Sequence, residues 1–394
     1  MTPRAIEGAN VSDLTARIRV LHIIKALGRG GAEVLLVEGL AVADRDRFDL
    51  RYGFIQSRPD EVASDLRARN APVHCFQLNG NLKMLLGANR VARFLQRERI
   101  DLVHAHLPMA GVVARMAGRM AGVPVVYTEH SLPDRNRPLL RKLCRQTWCW
   151  QAEVIAISED VARSIGHVYG DQVPVRTVSN GVNPTWFEPS AFTKARGRKQ
   201  VQIPESAHVV GTVAVFRDTP EKRLDIWLRA AQRIHQAVPH AHFLLVGDGP
   251  LRGRLEEQAA ELGIRDVTHF IGRQADVRPF LAAMDVFLMS SAYEGFGIAP
   301  VEAMAMGVPV VATDVEGVRN VIDHGRTGLL AAFDANVAQS LAASVVSLLE
   351  NPERRAALAS DGRREVEQRF SIVRMQRELE EIYERVILNH RQAS

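Results

Sequence analysis

From end to end of this chain, apolar runs of strand length alternate with segments of helical period, and that rhythm restricts the fold more than any other feature. In the first half the order is Arg19 to Ala26, a helical stretch Ala32 to Ala43, Arg51 to Ile55, Leu102 to His104, a helical stretch Gly111 to Met120, Val123 to Thr128, and Val154 to Ile157. Such strand–helix–strand units build a parallel sheet with helices on both faces. The rhythm breaks at a polar stretch, Thr193 to Gln202, carrying Lys194, Arg196, Arg198 and Lys199. It restarts with strands Val209 to Phe216, His242 to Val246, Val267 to Ile271, Val286 to Met289 and Pro309 to Ala312, again separated by helical segments. Helices Val337 to Leu349 and Ile372 to Leu388 follow. The expected fold class is therefore α/β, with two Rossmann-like doubly wound domains facing a central cleft. The expected divisions are a flexible N-terminal tail 1–17, a first domain 18–185 and a second domain 186–371, with the helix at about 372–390 packing back on the first domain.

Composition narrows the class. At 46% apolar and 24% charged the 394 residues are too apolar for a disordered chain. No apolar run reaches the roughly 18 to 20 residues that a spanning helix needs. Met1 to Asp13 has no basic start followed by an apolar segment, so it does not read as a secretory signal. Cys75, Cys144 and Cys149 are sparse and spaced for neither zinc nor a redox pair, which fits a reducing cytoplasm. Residues 1–180 hold 25 basic and 18 acidic side chains while 181–394 hold 25 and 27, so the net positive charge belongs to the first half. Such a field favours phosphates or an anionic membrane surface, and no nucleic-acid partner is expected. Pro138 to Trp150, wound as a helix, would set Leu139, Leu140, Leu143 and Trp150 opposite Arg141, Lys142 and Arg145. That arrangement suits a membrane surface, but an ordinary domain helix burying its leucines is the favoured reading.

The chemistry-bearing residues follow strands. Directly after Val286 to Met289 comes Ser290 to Glu302, with Glu294, Phe296, Gly297, Ile298 and Glu302, then a short helix expected over Ala299 to Met306 with Pro300 in its first position. Backbone N–H groups around Gly297 and Ile298, added to the helix dipole, suit a diphosphate. Glu302 in the first turn would accept hydrogen bonds from ribose hydroxyls, and Glu294 would reach a sugar. Arg217 and Lys222, flanking the loop after Val209 to Val215, would neutralise a departing diphosphate in place of a metal ion. The glycine loop Gly28 to Gly31 lacks the spacing of a dinucleotide fingerprint, which disfavours a dehydrogenase. Asp44-Arg45-Asp46 spells a metal-binding DxD but ends a helical segment rather than following a strand, and is not read as a metal site.

Glu294 and Glu302 together resemble the E-x7-E motif of the retaining nucleotide-sugar transferases of GT-B architecture, in particular glycosyltransferase family 4. The resemblance runs from about Arg19 to Leu388. Gly30-Gly31-Ala32-Glu33 resembles the family's GGAE loop, Asp101 to His106 its DxxHxH segment, Thr128-Glu129-His130 its TEH, and Ser179 to Val182 its NGV turn. The resemblance implies that Gly30 and Gly31 lie beside the donor phosphate, that His130 and Glu294 are catalytic, and that His106 shapes the acceptor side. Donor contacts would come from Arg217, Lys222, Arg273 near the base, Phe296, Gly297, Ile298 and Glu302. It further implies transfer of a sugar, with retention, from a UDP- or GDP-sugar to a glycan or lipid-linked acceptor in envelope or exopolysaccharide synthesis. The nucleotide-sugar is then a substrate, and neither a cofactor nor a metal is expected. Two departures stand out: Phe216-Arg217-Asp218 where the family usually has Gly-Arg-Leu, and Asn320 where it commonly has a glutamate. Two other readings share the architecture, a nucleotide-sugar epimerase or phosphorylase-like enzyme and a transferase-like partner subunit without turnover. Retention of Glu294, Glu302, Arg217 and Lys222 argues against the second.

Overall fold

The computed structural model describes residues 17–218 and 221–393, so almost all of the expected tail 1–17 lies outside the described residues. The first sheet holds β1 (Ile18–Ile24), β2 (Phe48–Phe54), β3 (Val73–Cys75), β4 (Leu102–His106), β5 (Val125–Glu129), β6 (Glu153–Ala156) and β7 (Val175–Thr177). The second holds β8 (His208–Val213), β9 (Ala241–Val246), β10 (Thr268–Gly272), β11 (Val286–Met289), β12 (Val310–Asp314) and β13 (Gly328–Ala332). Their orders are β3-β2-β1-β4-β5-β6-β7 and β10-β9-β8-β11-β12-β13, and the ladders are parallel. The fold class is the expected one, two Rossmann-like doubly wound sheets. Each order reverses beside the sheet's first strand, between β1 and β4 and between β8 and β11. Open α/β sheets take their ligands off the strand ends at such reversals.

Helices cover both faces of each sheet, so central strands are buried on successive residues rather than on alternate ones. All four residues of β11 are buried, and so are all five of β4, where His104 and His106 each find hydrogen-bond partners inside. The Ile372–Ala393 helix lies on the first sheet. It buries Leu379, Tyr383, Val386 and Ile387, the Tyr383 hydroxyl meets Nδ1 of His104 at 2.6 Å, and Arg385 pairs with Glu153. Where the chain crosses between the halves, two segments run side by side: Val182 N–H donates to the Phe370 carbonyl and Ile372 N–H to the Val182 carbonyl, each at 2.8 Å. A Cβ at Gly181 would sit 2.6 Å from the backbone of Ser371, so only glycine fits that crossing.

Two segments differ from expectation. The polar stretch that interrupts the rhythm is a helix, Lys194–Gln200, capped by the Thr193 side chain. Lys194 and Arg198 both pair with the buried Asp285, so two of its four cations neutralise a carboxylate, Arg198 from a buried position and Lys194 from the surface. The Pro138–Thr147 helix does not gather its apolar residues on one side. Leu140 and Leu143 pack on the core, Leu139 is 71% exposed, and Trp150 lies past the helix end beneath the Arg119 guanidinium. No helix among the described residues is long and apolar enough to cross a membrane.

Candidate active-site cleft

A cleft of about 1420 Å³ opens where the two reversals face each other, lined from both halves. The first half contributes the loop after β1, which ends at Gly30, the N-cap of the Gly31–Val42 helix. The second contributes the loops after β8 and β11. These two loops are stitched together: Ala292 N–H donates to the Glu221 carbonyl at 2.7 Å, and the Ser290 hydroxyl to the carbonyls of Lys222 and Arg223 at 3.0 and 2.9 Å. The stitching places Lys222 over Glu294. Lys222 Nζ donates to Glu294 Oε1 at 2.6 Å, and the Ser291 hydroxyl donates to the same oxygen at 2.6 Å. The sequence assigned these two residues separate tasks; in the fold they form one ion pair on the cleft wall.

Arg217 also lines the cleft, and Glu33 is the carboxylate whose ionisation it favours, against a larger opposing push from burial. Gly297 has φ 88°, in the left-handed region where a side chain is strained, and the helix it caps starts at Ile298. That start corrects the expected one at Ala299. Pro300 is the third helical residue rather than the first, and Glu302 sits one turn in, with no acid in the first turn. From there Glu302 reaches the cleft opposite Glu38 of the Gly31–Val42 helix. Burial first, and the facing Glu38 second, push the Glu302 carboxyl up to about 8. Glu38 is raised too, mainly by burial, and its Oε2 is buried with no hydrogen-bond partner.

The halves touch beside this wall. A Cβ at Gly31 would be 3.6 Å from Ile298, and one at Gly295 only 2.5 Å from the His130 carbonyl. His130 lines the cleft, and burial pulls its imidazole down to about 4. His106 is not on the wall but behind it: it is 5% exposed, and its Nδ1 lies 3.1 Å from Nε2 of His130. Arg273 does line the cleft, but its guanidinium forks onto Glu61 of the first half. Phe296 is off the wall as well. Its ring is 2% exposed and set edge-on to Phe370, so its side chain packs the core. Asp44 and Asp46 are far from being a ligand pair: Asp44 Oδ1 accepts the N–H groups of Asp46 and Arg47 at 3.1 Å each, closing an exposed turn before β2.

Two family models match the chain, Glycosyltransferase Family 4 over residues 16–186 and Glycosyl transferases group 1 over residues 193–365. A D-inositol 3-phosphate glycosyltransferase of Saccharomonospora viridis is 32% identical over 354 residues, 82% of this chain and 80% of that protein. The chain belongs to the group 1, family 4 glycosyltransferases. A UDP-Gal:alpha-D-GlcNAc-diphosphoundecaprenol alpha-1,3-galactosyltransferase of Escherichia coli is 24% identical over 95% of this family 4 chain and 98% of its own. Among solved structures, the HepE protein of Anabaena in complex with UDP-glucose is 26% identical, covers 93% of this chain and 99% of its own, and superposes with a TM-score of 0.82.

For a family 4 glycosyltransferase the asparagine at position 320 has a local cause in this fold. Asn320 Nδ2 donates to Asp160 Oδ2 at 2.6 Å, and Gly317 N–H donates to the same oxygen at 2.7 Å. Asp160 belongs to the first half and is buried, so a glutamate at 320 would set two carboxylates against each other. Asp160, Glu38 and Glu61 escaped the sequence reading. Each reads as an ordinary acid early in, or along, a helix, and no local spacing marks the partner that gives it a role.

Proposed function

We propose that this family 4 glycosyltransferase moves a sugar, with retention of anomeric configuration and without a metal ion, from a nucleotide diphosphate donor to a glycan or lipid-linked acceptor. The observation that carries this reading is that Arg217, Lys222 and the Gly297-capped helix start all line the cleft from the second half of the chain. Two side-chain cations and a helix N-terminus suit a leaving diphosphate without further charge. The HepE complex with UDP-glucose favours UDP as the donor nucleotide. In the reaction the acceptor hydroxyl oxygen bonds to the anomeric carbon while the bond from that carbon to the diphosphate oxygen breaks. The acceptor approaches on the face the phosphate leaves, and the departing phosphate takes the hydroxyl proton. No protein nucleophile is needed. Glu294, held by Lys222 and Ser291, orients the donor sugar; Glu302 accepts from the ribose hydroxyls; His130 hydrogen-bonds the sugar. Arg273 would have to leave Glu61 to approach the base. The relative named for a diphosphoundecaprenol-linked sugar supports a lipid-linked acceptor in envelope or extracellular polysaccharide synthesis, whereas the one named for D-inositol 3-phosphate points to a small phosphorylated acceptor.

The test is a thermal-shift panel of UDP, GDP, ADP and their sugar conjugates, each with and without EDTA, followed by product analysis with candidate acceptors. A selective, EDTA-insensitive rise with UDP and UDP-sugars is expected, since a ligand that binds only the folded state stabilises it by mass action. No shift from any nucleotide would overturn the donor assignment. Sugar conversion without an added acceptor would favour the epimerase reading.

A further inference from the structure

Behind His130 the structure holds a line of imidazoles that the proposed chemistry does not use. His106, at the end of β4, puts Nδ1 3.1 Å from Nε2 of His130. Its other nitrogen, Nε2, lies 3.1 Å from Nδ1 of His22 on β1. His22 and His106 are 4% and 5% exposed, and their rings meet edge to edge with planes within 11° of parallel. The line ends at His22 Nε2, which is buried and has no hydrogen-bond partner. Neighbouring His104 stands outside the line, because its two nitrogens are taken by Tyr383 and Thr128.

A neutral imidazole carries one N–H, so each nitrogen-to-nitrogen contact holds one proton and the direction at one end sets the direction throughout. Burial keeps the rings neutral: His22 is pulled down to about 3, and His106 well below its ordinary value. If the protons point inward, the last group is a buried His22 N–H with no acceptor, which forfeits a full hydrogen bond. If they point outward, only a bare lone pair is left there. Orphaned buried N–H groups are the rarer defect in folded proteins.

We propose that His22 and His106 are positioning residues that hold His130 as its Nδ1–H tautomer, so that the nitrogen left free at the cleft donates a hydrogen bond and does not accept a proton. This rests on the transferase reading for its consequence: His130 serves a sugar oxygen as a donor, and the acceptor's proton is left to the departing phosphate.

The experiment is nitrogen-15 NMR of the histidine side chains in the full, ligand-free chain, with His130 assigned by the signal lost in His130→Asn. The expected result is a protonated Nδ1 and a bare Nε2 on His130, His106 and His22 at neutral pH. A protonated Nε2 on His130, or a mixture, overturns the proposal whether or not any nucleotide binds, which separates its failure from failure of the transferase reading. In His106→Asn, whose amide N–H can stand in for Nδ1–H, the tautomer is kept and kcat stays near wild type. In His106→Leu the tautomer preference is lost and kcat falls about tenfold, the worth of one hydrogen bond. An unchanged His130 tautomer in a folded His106→Leu protein would also overturn it.

Discussion

Lys222 and Glu294 constrain each other so closely that neither can be changed alone. Their pair is only partly open to water, at 31% and 12% side-chain exposure, and Glu294 Oε1 already takes a second hydrogen bond from Ser291. In the proposed reaction, replacing Lys222 with alanine therefore removes a cation from the leaving group and also frees a half-enclosed carboxylate to repel it. Replacing Glu294 with glutamine keeps the shape but loosens the lysine and the donor sugar together. For the glutamine variant, kcat is expected to fall about 100- to 1,000-fold, the usual effect of losing one preorganised electrostatic contact. UDP affinity should change far less, because the diphosphate contacts remain. Steady-state kinetics beside a UDP titration measure both, and wild-type turnover in Glu294→Gln would remove the residue from the mechanism.

In the proposed mechanism the Ile298–Ala305 helix is the element that joins phosphate and ribose recognition. Its glycine cap exposes the first N–H groups, and one turn later the same helix carries Glu302, whose carboxyl is protonated at neutral pH because its value is near 8. Hydroxyl groups that donate to a carboxyl favour its ionised form. Nucleotide binding should thus expel a proton below pH 8, and affinity should rise as pH climbs from 6 to 8, by at most about tenfold per unit for one proton. Titration calorimetry in two buffers of different ionisation heat reads the proton directly. Equal heats in both buffers, or the same pH dependence in Glu302→Gln, would refute the linkage.

Across the whole molecule, buried titrating groups set the pH at which the fold is most stable. His22, His104, His106 and His130 all have their values lowered, with burial the leading cause in each. An unfolded histidine takes its proton near 6.5 while these refuse it, so their contribution is complete above 6.5 and is lost as pH falls toward 4. Glu129 and Glu302, raised by burial to about 7 and 8, act in the opposite sense. They hold protons that the unfolded chain has released, so their contribution is present below about 4.5 and is lost as pH rises through 7 to 8. Between 4.5 and 6.5 these four histidines, joined by His74, His242 and His269, which are lowered by burial too, outnumber Glu129 and Glu302 together with the raised Glu33, Glu38 and Glu380, and above 6.5 only the glutamates act. The melting temperature should peak near pH 6.5 and fall on both sides, as a series of thermal melts would show. A steady rise from pH 6.5 to 8 would contradict this.

Local rules make much of this protein legible in its sequence. Strand-length runs and helical periods implied the two sheets, and the loop from Ser290 to Gly297, placed after a strand, implied the glycine-led helix start that lines the cleft. These follow from backbone sterics and side-chain periodicity over a few residues, which neighbours in sequence control. Partnership did not follow. Lys222 meets Glu294 72 residues away, Arg273 meets Glu61 across 212, and His22 meets His106 across 84. Whether Phe296 faced the cleft or the core depended on Phe370 arriving from the end of a distant helix. Ion pairs, burial and proton affinity are set by what lies within a few ångströms in space, and that neighbourhood exists only once both halves have folded against each other.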